Sequence, residues 1–189
     1  MFIGEGPGRD EDLQGRPFVG RSGELLTRMI RAIGLEREQV YICNVVKCRP
    51  PQNRNPEPDE ANACLNYLRA QVALVRPRVV VLLGKVACQY TIRDQVFITR
   101  DHGRWYEQKG VWFMPTYHPS YLLRDPAKKR AERRLSACTA VHGVEVVYQR
   151  VCVPALPSLQ NLANLKASLY SLRPSYFSLP VLQFPLRRG

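Results

Sequence analysis

The sequence has 189 residues, 45% of them hydrophobic, and its 28 Lys and Arg against 16 Asp and Glu give a formal net charge of +12. This length predicts a single domain with a sizeable core, and the basic surplus favours a polyanionic partner, nucleic acid ahead of an anionic membrane. A basic surplus is also compatible with a merely soluble surface. No apolar stretch approaches the length of a membrane span and no charged-then-apolar leader is present, so we expect a cytoplasmic protein with no membrane partner.

Apolar segments alternate with polar loops over the first part of the chain. Short apolar runs, most of them β-branched, are predicted as strands at residues 1–3, 40–46, 79–83 and 111–115. Helical spacing of apolar residues predicts helices that begin after Ser22, at the cap Asp59, and at Gly84. Strands that alternate with helices indicate an α/β protein, a three-layer α/β/α sandwich around a short, mainly parallel four-stranded sheet.

The chain changes character near residue 135. From residue 136 to 189 the only acidic residue is Glu145, prolines are frequent, and no helical or alternating period extends beyond residues 144–147. We therefore predict one domain over residues 1–135 and a poorly ordered tail of unknown role over residues 136–189. That tail is interpreted as an unrelated extension or an out-of-frame translation, and no chemistry is expected in it.

The predicted strands are followed by loops that are polar where a ligand site would lie. In the first loop Gly4 and Gly6 fit the dinucleotide-binding fingerprint, but Arg9 stands in place of its third glycine. Gly84 and the lysine after it lack the other residues of a phosphate-binding loop. Because the carboxyl ends of parallel strands meet at one edge of a sheet, we expect the long loops to share one cleft.

Five motifs in these loops, taken in chain order, carry a family resemblance. They are Gly4-Glu5-Gly6-Pro7-Gly8, Gly15-Arg16-Pro17-Phe18-Val19-Gly20, Asn44-Val45-Val46-Lys47-Cys48-Arg49-Pro50-Pro51, Asn53-Arg54 and His118-Pro119-Ser120-Tyr121-Leu122-Leu123. Each motif alone is weak, but the ordered set resembles the family 4, iron–sulfur uracil-DNA glycosylases over about residues 1–130. Nothing after about residue 135 has a counterpart in that family.

The resemblance implies a DNA-repair hydrolase. Its reaction would be hydrolysis of the N-glycosidic bond of deoxyuridine in single- or double-stranded DNA, the first step of base-excision repair. It also implies a monomer in the cytoplasm, associated with the nucleoid in a bacterium or archaeon. Two alternatives remain open, namely an inactive, degenerate DNA-binding relative and, more remotely, a metal-dependent nucleotide enzyme.

Three side chains and one glycine are implied to form the uracil pocket. Phe18 would stack on the flipped base, and Gly6 would let the backbone approach it. Asn44 offers both a donor and an acceptor, which match O4 and N3–H of uracil. His118 would donate to O2 as charge builds on the leaving base. Taken singly, these residues are equally compatible with a core Phe, a turn Asn and a loop His.

Two carboxylates are candidates for positioning the attacking water. Glu11 is the first candidate, either for this role or for excluding the methyl group of thymine. Glu5 is the second. The other carboxylates of this loop are compatible with solvated surface charges.

Two further groups of residues are expected to contact DNA. Phosphate contacts are expected for Arg16, Lys47, Arg49 and Arg54, and a contact with DNA is expected for Asn53. A loop that wedges into the duplex is implied for Pro119, Ser120, Leu122 and Leu123. The cations would otherwise be solvated charges, and the two leucines would otherwise be the buried start of a helix.

The cysteines depart from the family pattern. The family holds a [4Fe–4S] cluster on four cysteines, and Cys48 and Cys64 match the second pair. The first pair would precede Met1, so we expect a chain that lacks the family's N-terminus and an incomplete cluster site. The remaining cysteines match no ligand of the family.

Overall fold

The computed structural model describes residues 1–92 and 96–125. The predicted tail at residues 136–189 lies outside the described residues, as does the predicted domain boundary near residue 135. Five strands are present: β1 (Phe2–Gly4), β2 (Ile42–Asn44), β3 (Val79–Leu83), β4 (Tyr106–Gln108) and β5 (Val111–Thr116). They form one sheet in the order β2-β1-β3-β5-β4.

The sheet is mainly parallel, as predicted, with β1 next to its centre. Phe2 of β1 pairs with Ile42 on one side and with Val81 on the other, and β3 continues in parallel to β5. The predicted count of four strands is wrong, because β4 pairs antiparallel with β5 and adds a fifth. β4 has only three residues, and none of them is buried, so it lacks the apolar pattern by which a strand is recognised in sequence.

Six helices accompany the strands within the described residues: α1 (Arg9–Gln14), α2 (Arg21–Ala32), α3 (Pro58–Val75), α4 (Lys85–Thr91), α5 (Ile98–Asp101) and α6 (Pro119–Arg124). Short 3-10 turns occur at Arg37–Gln39 and Pro51–Asn53. The predicted cap of α3 is wrong. Its cap is Glu57, whose backbone N–H donates to the Glu60 carboxylate at 2.8 Å, with Pro58 in the first helical position. None of the described helices is long and apolar enough to cross a membrane.

Side chains of the central strands alternate between two apolar layers. In β3, Val80 and Leu82 pack with residues of α3 and α4, whereas Val81 and Leu83 pack with Leu26 and other residues of α2. Each of these side chains is at most 9% exposed. Because both faces of β3 are buried, its sequence is a continuous apolar run. The two apolar layers, with helices packed on each, confirm the predicted three-layer sandwich.

The start of α2 packs directly on the loop that carries Phe18. A Cβ atom on Gly23 would lie 1.9 Å from the carbonyl oxygen of Phe18, which is far inside van der Waals contact. The glycine therefore sets how closely the helix approaches this loop.

We expect Gly23→Ala to destabilise the protein. Alanine normally stabilises a helix interior relative to glycine, but here the methyl group would push Phe18 and α2 apart, at a cost of about 1–3 kcal/mol. Urea unfolding of Gly23→Ala should show this loss. The matched control is Ser22→Ala, the neighbouring position on the same helix, and a Gly23→Ala protein as stable as that control would contradict the prediction.

Candidate active site

Two strand-end loops meet at Gly4, the last residue of β1. A Cβ atom on Gly4 would lie 2.5 Å from Asn44 Oδ1 and 2.5 Å from Cζ of the Phe18 ring. Asn44 ends β2, and the Val45 amide donates to the Gly4 carbonyl at 2.9 Å. The structure thus brings Asn44 and Phe18 together at the carboxyl edge of the sheet, and only a glycine leaves room for both.

Gly6 lies one step further along the same loop. A Cβ atom here would lie 2.6 Å from a methyl carbon of Val46 and 3.8 Å from Pro50. This glycine therefore packs against the segment that follows β2. The backbone of the first loop and the Asn44 loop are thus held side by side, and the predicted approach of Gly6 to a base stays a prediction.

Phe18 adopts a backbone conformation that is unusual for its residue type. Its φ is +54°, in the left-handed region, which costs on the order of 1–2 kcal/mol for a residue with a Cβ. The side chain is 5% exposed, and its ring centroid lies 5.6 Å from that of His118 with a tilt of 35°. His118 follows β5, so the third loop also reaches this site.

The hydrogen bonds of His118 define its tautomer. The backbone N–H of Ser120 donates to Nδ1 at 3.2 Å, and the Ser120 hydroxyl lies 2.8 Å from the same nitrogen. Because a backbone N–H can only donate, Nδ1 is an acceptor and the neutral ring carries its proton on Nε2. Burial lowers the pKa of His118 to about 4, and Arg124 contributes in the same direction. The imidazole is therefore neutral at pH 7 and can donate from Nε2.

Gly84 gives His118 its place beside the sheet. Its φ is +94°, and a Cβ atom here would lie 3.0 Å from Cβ of His118. The Gly84 amide also donates to the Thr116 carbonyl at 2.9 Å, which ties the end of β3 to the end of β5. The short loop that begins at Gly84, after β3, thus supports the loop that carries His118.

Asn44 is buried with one polar atom unsatisfied. The residue is 5% exposed, and its Oδ1 has no hydrogen-bond partner among the described residues. A buried amide oxygen without a partner costs roughly 1–3 kcal/mol and is rare in folded proteins. It lies beside the Phe18 ring, so an N–H group on a ring stacked there could satisfy it.

The backbone of Asn44 is held by an inward-pointing lysine. Lys47 Nζ donates to the Asn44 carbonyl and to Gln71 Oε1, each at 2.6 Å, and Gln71 Nε2 donates to the Tyr41 hydroxyl at 3.1 Å. Burial lowers the pKa of Lys47, while Cys43 and then Cys64 raise it. This network fixes the end of β2 against α3, a positioning role that the sequence did not reveal.

The two candidate carboxylates, Glu11 and Glu5, are in different environments. Glu11 Oε1 accepts from the backbone N–H of Val19 and of Gly20, each at 3.0 Å, and its Oε2 accepts from Gly8 at 3.1 Å. Both oxygens of Glu11 are thus used within the loop. Glu5 is partly buried, and burial raises the pKa of its carboxyl.

The residues predicted to contact phosphates are in different situations. Arg16 is exposed, whereas the amine of Lys47 points inward as described above. Arg49 Nε donates to Asn53 Oδ1 at 2.7 Å, so these two lie together on the surface. Arg54 donates to both carboxylate oxygens of Glu60 at 2.8 Å, and its guanidinium is already paired.

The segment predicted to wedge into DNA is the helix α6. Pro119 and Leu122 are less than 2% exposed, and Leu122 packs with Leu25 and Tyr117 in a small core. These two side chains belong to the protein interior in this conformation. Ser120 is engaged by His118, and Leu123 is partly buried against the same core.

The two cysteines matched to the family's cluster ligands lie close to one another along the surface. Cys48 is exposed, and the sulfur of Cys64 accepts from the backbone N–H of Lys47, the residue before Cys48, at 3.4 Å. Cys43 and Cys88 are buried, and burial raises the pKa of their thiols to about 11 and about 12. No group of three or more potential metal ligands occurs within residues 1–92 and 96–125.

We expect the pH dependence of stability to report the neutral His118. Because its pKa of about 4 lies below the usual 6.5, unfolding takes up a proton between these values, so stability falls as the pH drops from 6.5 towards 4 and the contribution is constant below that. Urea unfolding of the wild type and His118→Asn across this range measures it. The wild type should lose stability relative to the variant, and a pH-independent difference between them would contradict the assignment.

Comparison with known proteins identifies the family of this chain. The Uracil DNA glycosylase superfamily matches residues 1–140. A type-4 uracil-DNA glycosylase of Thermotoga maritima is 52% identical over 129 residues, which cover 66% of this chain and 66% of that protein.

Two archaeal proteins of the same description are similarly related. The Archaeoglobus fulgidus protein is 49% identical over 134 residues, covering 67% of each chain. The Sulfurisphaera tokodaii protein is 48% identical over 135 residues, covering 67% of this chain and 61% of its own. The chain thus spans about two thirds or less of the length of the first relatives it matches. On the family match and these identities, it belongs to the uracil-DNA glycosylase superfamily.

Proposed function

We propose that this protein hydrolyses the N-glycosidic bond of deoxyuridine in DNA. The observation that carries the proposal is the buried, unpartnered Oδ1 of Asn44 beside the Phe18 ring. Uracil stacked on Phe18 would donate its N3–H to this oxygen and accept at O4 from the Asn44 amide nitrogen. Three relatives at 48 to 52% identity carry the name type-4 uracil-DNA glycosylase, which supports this substrate class.

His118 stabilises the leaving group in the proposed reaction. As the bond between C1′ and N1 breaks, its electron pair passes into the uracil ring and charge builds on O2. The neutral imidazole donates a hydrogen bond to O2 from Nε2, since Nδ1 is held by Ser120. This hydrogen bond strengthens as charge builds on O2, so it stabilises the transition state more than the bound substrate. Uracil leaves as an anion, and the oxygen of a water molecule adds at C1′. The proton that this water loses passes to a nearby carboxylate and from there to the uracil anion or to solvent, which leaves an abasic site and free uracil.

We assign the role of positioning the attacking water to Glu5 in preference to Glu11. Both oxygens of Glu11 already accept hydrogen bonds from backbone amides, whereas Glu5, in the same loop, is partly buried and burial raises the pKa of its carboxyl. A carboxylate that is partly desolvated accepts a proton from water more readily than a solvated one.

The described residues do not fit a complete [4Fe–4S] cluster. Such a cluster takes four protein ligands, and we assign two of them to Cys48 and Cys64, whose neighbourhood includes the N–H···S bond from Lys47. Cys43 and Cys88 are buried in the apolar core beside the sheet, and burial raises the pKa of their thiols. No step of the proposed reaction passes through a cluster.

Replacing His118 by Ala should lower turnover more than DNA binding. Loss of one transition-state donor costs on the order of 10²–10³ in rate. Single-turnover release of uracil from a deoxyuridine oligonucleotide gives the rate, and binding to a non-hydrolysable 2′-fluoro analogue gives the affinity. His102→Ala is the control, since His102 bonds to the Ile98 carbonyl in α5. Equal losses of rate and affinity in His118→Ala would indicate a structural histidine.

The same assay separates the two classes of function. A wild-type chain that binds the oligonucleotide but releases no uracil would overturn the proposed activity and favour the inactive DNA-binding alternative.

Replacing Asn44 by Asp should narrow the preference for uracil over cytosine. A carboxylate accepts from the amine of cytosine but cannot donate to O4 of uracil. The measurement is the ratio of base release from two oligonucleotides that differ only at that base. Asn62→Asp on the exposed face of α3 is the matched control. An unchanged ratio in Asn44→Asp would remove Asn44 from base recognition.

A further inference from the structure

The peptide groups on both sides of Phe18 are fixed by side chains from two different helical segments. After Phe18, the amides of Val19 and Gly20 donate to one oxygen of Glu11 at 3.0 Å. Before Phe18, the carbonyl of Pro17 accepts from Arg37 Nη2 at 2.7 Å. The residue between these bonds has the left-handed φ of +54°.

Arg37 is itself held in place by α2. Its Nη1 donates to the Thr27 hydroxyl at 3.3 Å, and that hydroxyl donates to the Gly23 carbonyl at 3.0 Å. Gly23 is the residue that contacts the Phe18 carbonyl. Burial lowers the pKa of Arg37, and nearby Arg16 lowers it further. Its guanidinium is partly buried and bonds to a carbonyl 20 residues away in the chain, so it is part of the tertiary structure and not an ordinary surface charge.

A left-handed phenylalanine needs such restraints. Its strain is offset by burial of the ring, which packs with Leu26, Leu83 and Met114, and by the bonds that fix the peptide groups on either side. Packing alone leaves those peptide groups free to rotate, and their release would let the ring shift relative to Gly4, Asn44 and His118, whose ring centroid is 5.6 Å from that of Phe18. The restraints therefore control the surface on which a base would stack.

We propose that Glu11 and Arg37 are positioning residues that together hold Phe18 in its left-handed conformation as a preformed stacking platform. This inference rests on the proposed function for its consequence in catalysis, but the restraint is a property of the free protein. It gives Glu11 a role through Phe18 rather than on the water, and it gives Arg37 a role where the sequence indicated none.

The restraint itself is tested without substrate. Amide hydrogen exchange at Val19 and Gly20, followed by NMR on the full chain, should accelerate at least tenfold in Glu11→Ala. Arg37→Ala should accelerate the same two amides by releasing Pro17. Asp12→Ala on the same helix as Glu11 and Arg28→Ala on α2 are the matched controls, since both side chains are exposed. Unchanged exchange at Val19 and Gly20 in both variants would overturn the proposal.

The consequence for catalysis is tested by a double-mutant cycle. Glu11→Ala and Arg37→Ala should each lower kcat/KM for uracil release about tenfold, the scale of one stacked base, but less than twofold when Phe18 is already alanine. Glu11→Gln keeps an oxygen for Val19 and Gly20 and should stay within about threefold of the wild type. Thermal unfolding confirms that each variant is folded at the assay temperature.

The outcomes separate the two proposals. If Glu11→Ala costs as much in the Phe18→Ala background as alone, and Glu11→Gln is as slow as Glu11→Ala, then Glu11 acts on the water and the platform role is overturned. If the wild type releases no uracil, the proposed function fails, and the exchange measurement still decides whether Glu11 and Arg37 hold Phe18.

Discussion

The site depends on the absence of a side chain at Gly4. A single carbon atom at that position would overlap both the Asn44 amide and the Phe18 ring, so the two groups can close on the end of β1 only because nothing stands between them. β1 is next to the centre of the sheet and pairs on both sides through Phe2 and Ile3, and Gly4 itself pairs with Asn44 of β2, so the sheet fixes its position. The Asn44 amide and the Phe18 ring therefore close on one of the most constrained parts of the fold.

Around that fixed point the protein holds two groups in states that cost free energy. Phe18 has a left-handed backbone, and Asn44 Oδ1 is buried without a partner among the described residues. Under the proposed function a base stacked on Phe18 would satisfy the Asn44 oxygen, and His118, already neutral, would donate to that base without a change of protonation. Such pre-organisation is the physical basis of selective transition-state binding, because the cost is met during folding and not during the reaction.

The sequence predicted the parts of this arrangement that follow from strand order. The three-layer sandwich and the meeting of the Gly4, Asn44 and His118 loops could be predicted because parallel strands must end at one edge. Helix α1 could not, since none of its residues is buried and a solvated helix of six residues leaves no apolar period. Strand β4 was missed for the same reason.

The direction of a side chain was the other limit of prediction. The sequence predicts that Lys47, in a basic motif, contacts a phosphate, but its amine points inward and donates to the Asn44 carbonyl. Arg37 lies outside every motif that the sequence analysis identified, but its guanidinium donates to the Pro17 carbonyl, 20 residues away in the chain. For Leu122 the sequence left open a wedge in DNA or the buried start of a helix, and the side chain lies buried in α6. Sequence gives the chemistry of such a residue, while its partner depends on tertiary contacts that no local pattern records.

These placements also change how the basic composition should be interpreted. A net charge of +12 is a property of the whole chain, including residues outside the described part, and it does not measure contacts with DNA. Arg54 is neutralised by Glu60 and Lys47 is internal, so neither is set to displace counterions from a phosphate. Affinity from counterion release scales with the phosphates that are actually neutralised. The exposed Arg16, on the loop that carries Phe18, is thus a stronger candidate for a contact with the DNA backbone than Lys47 or Arg54.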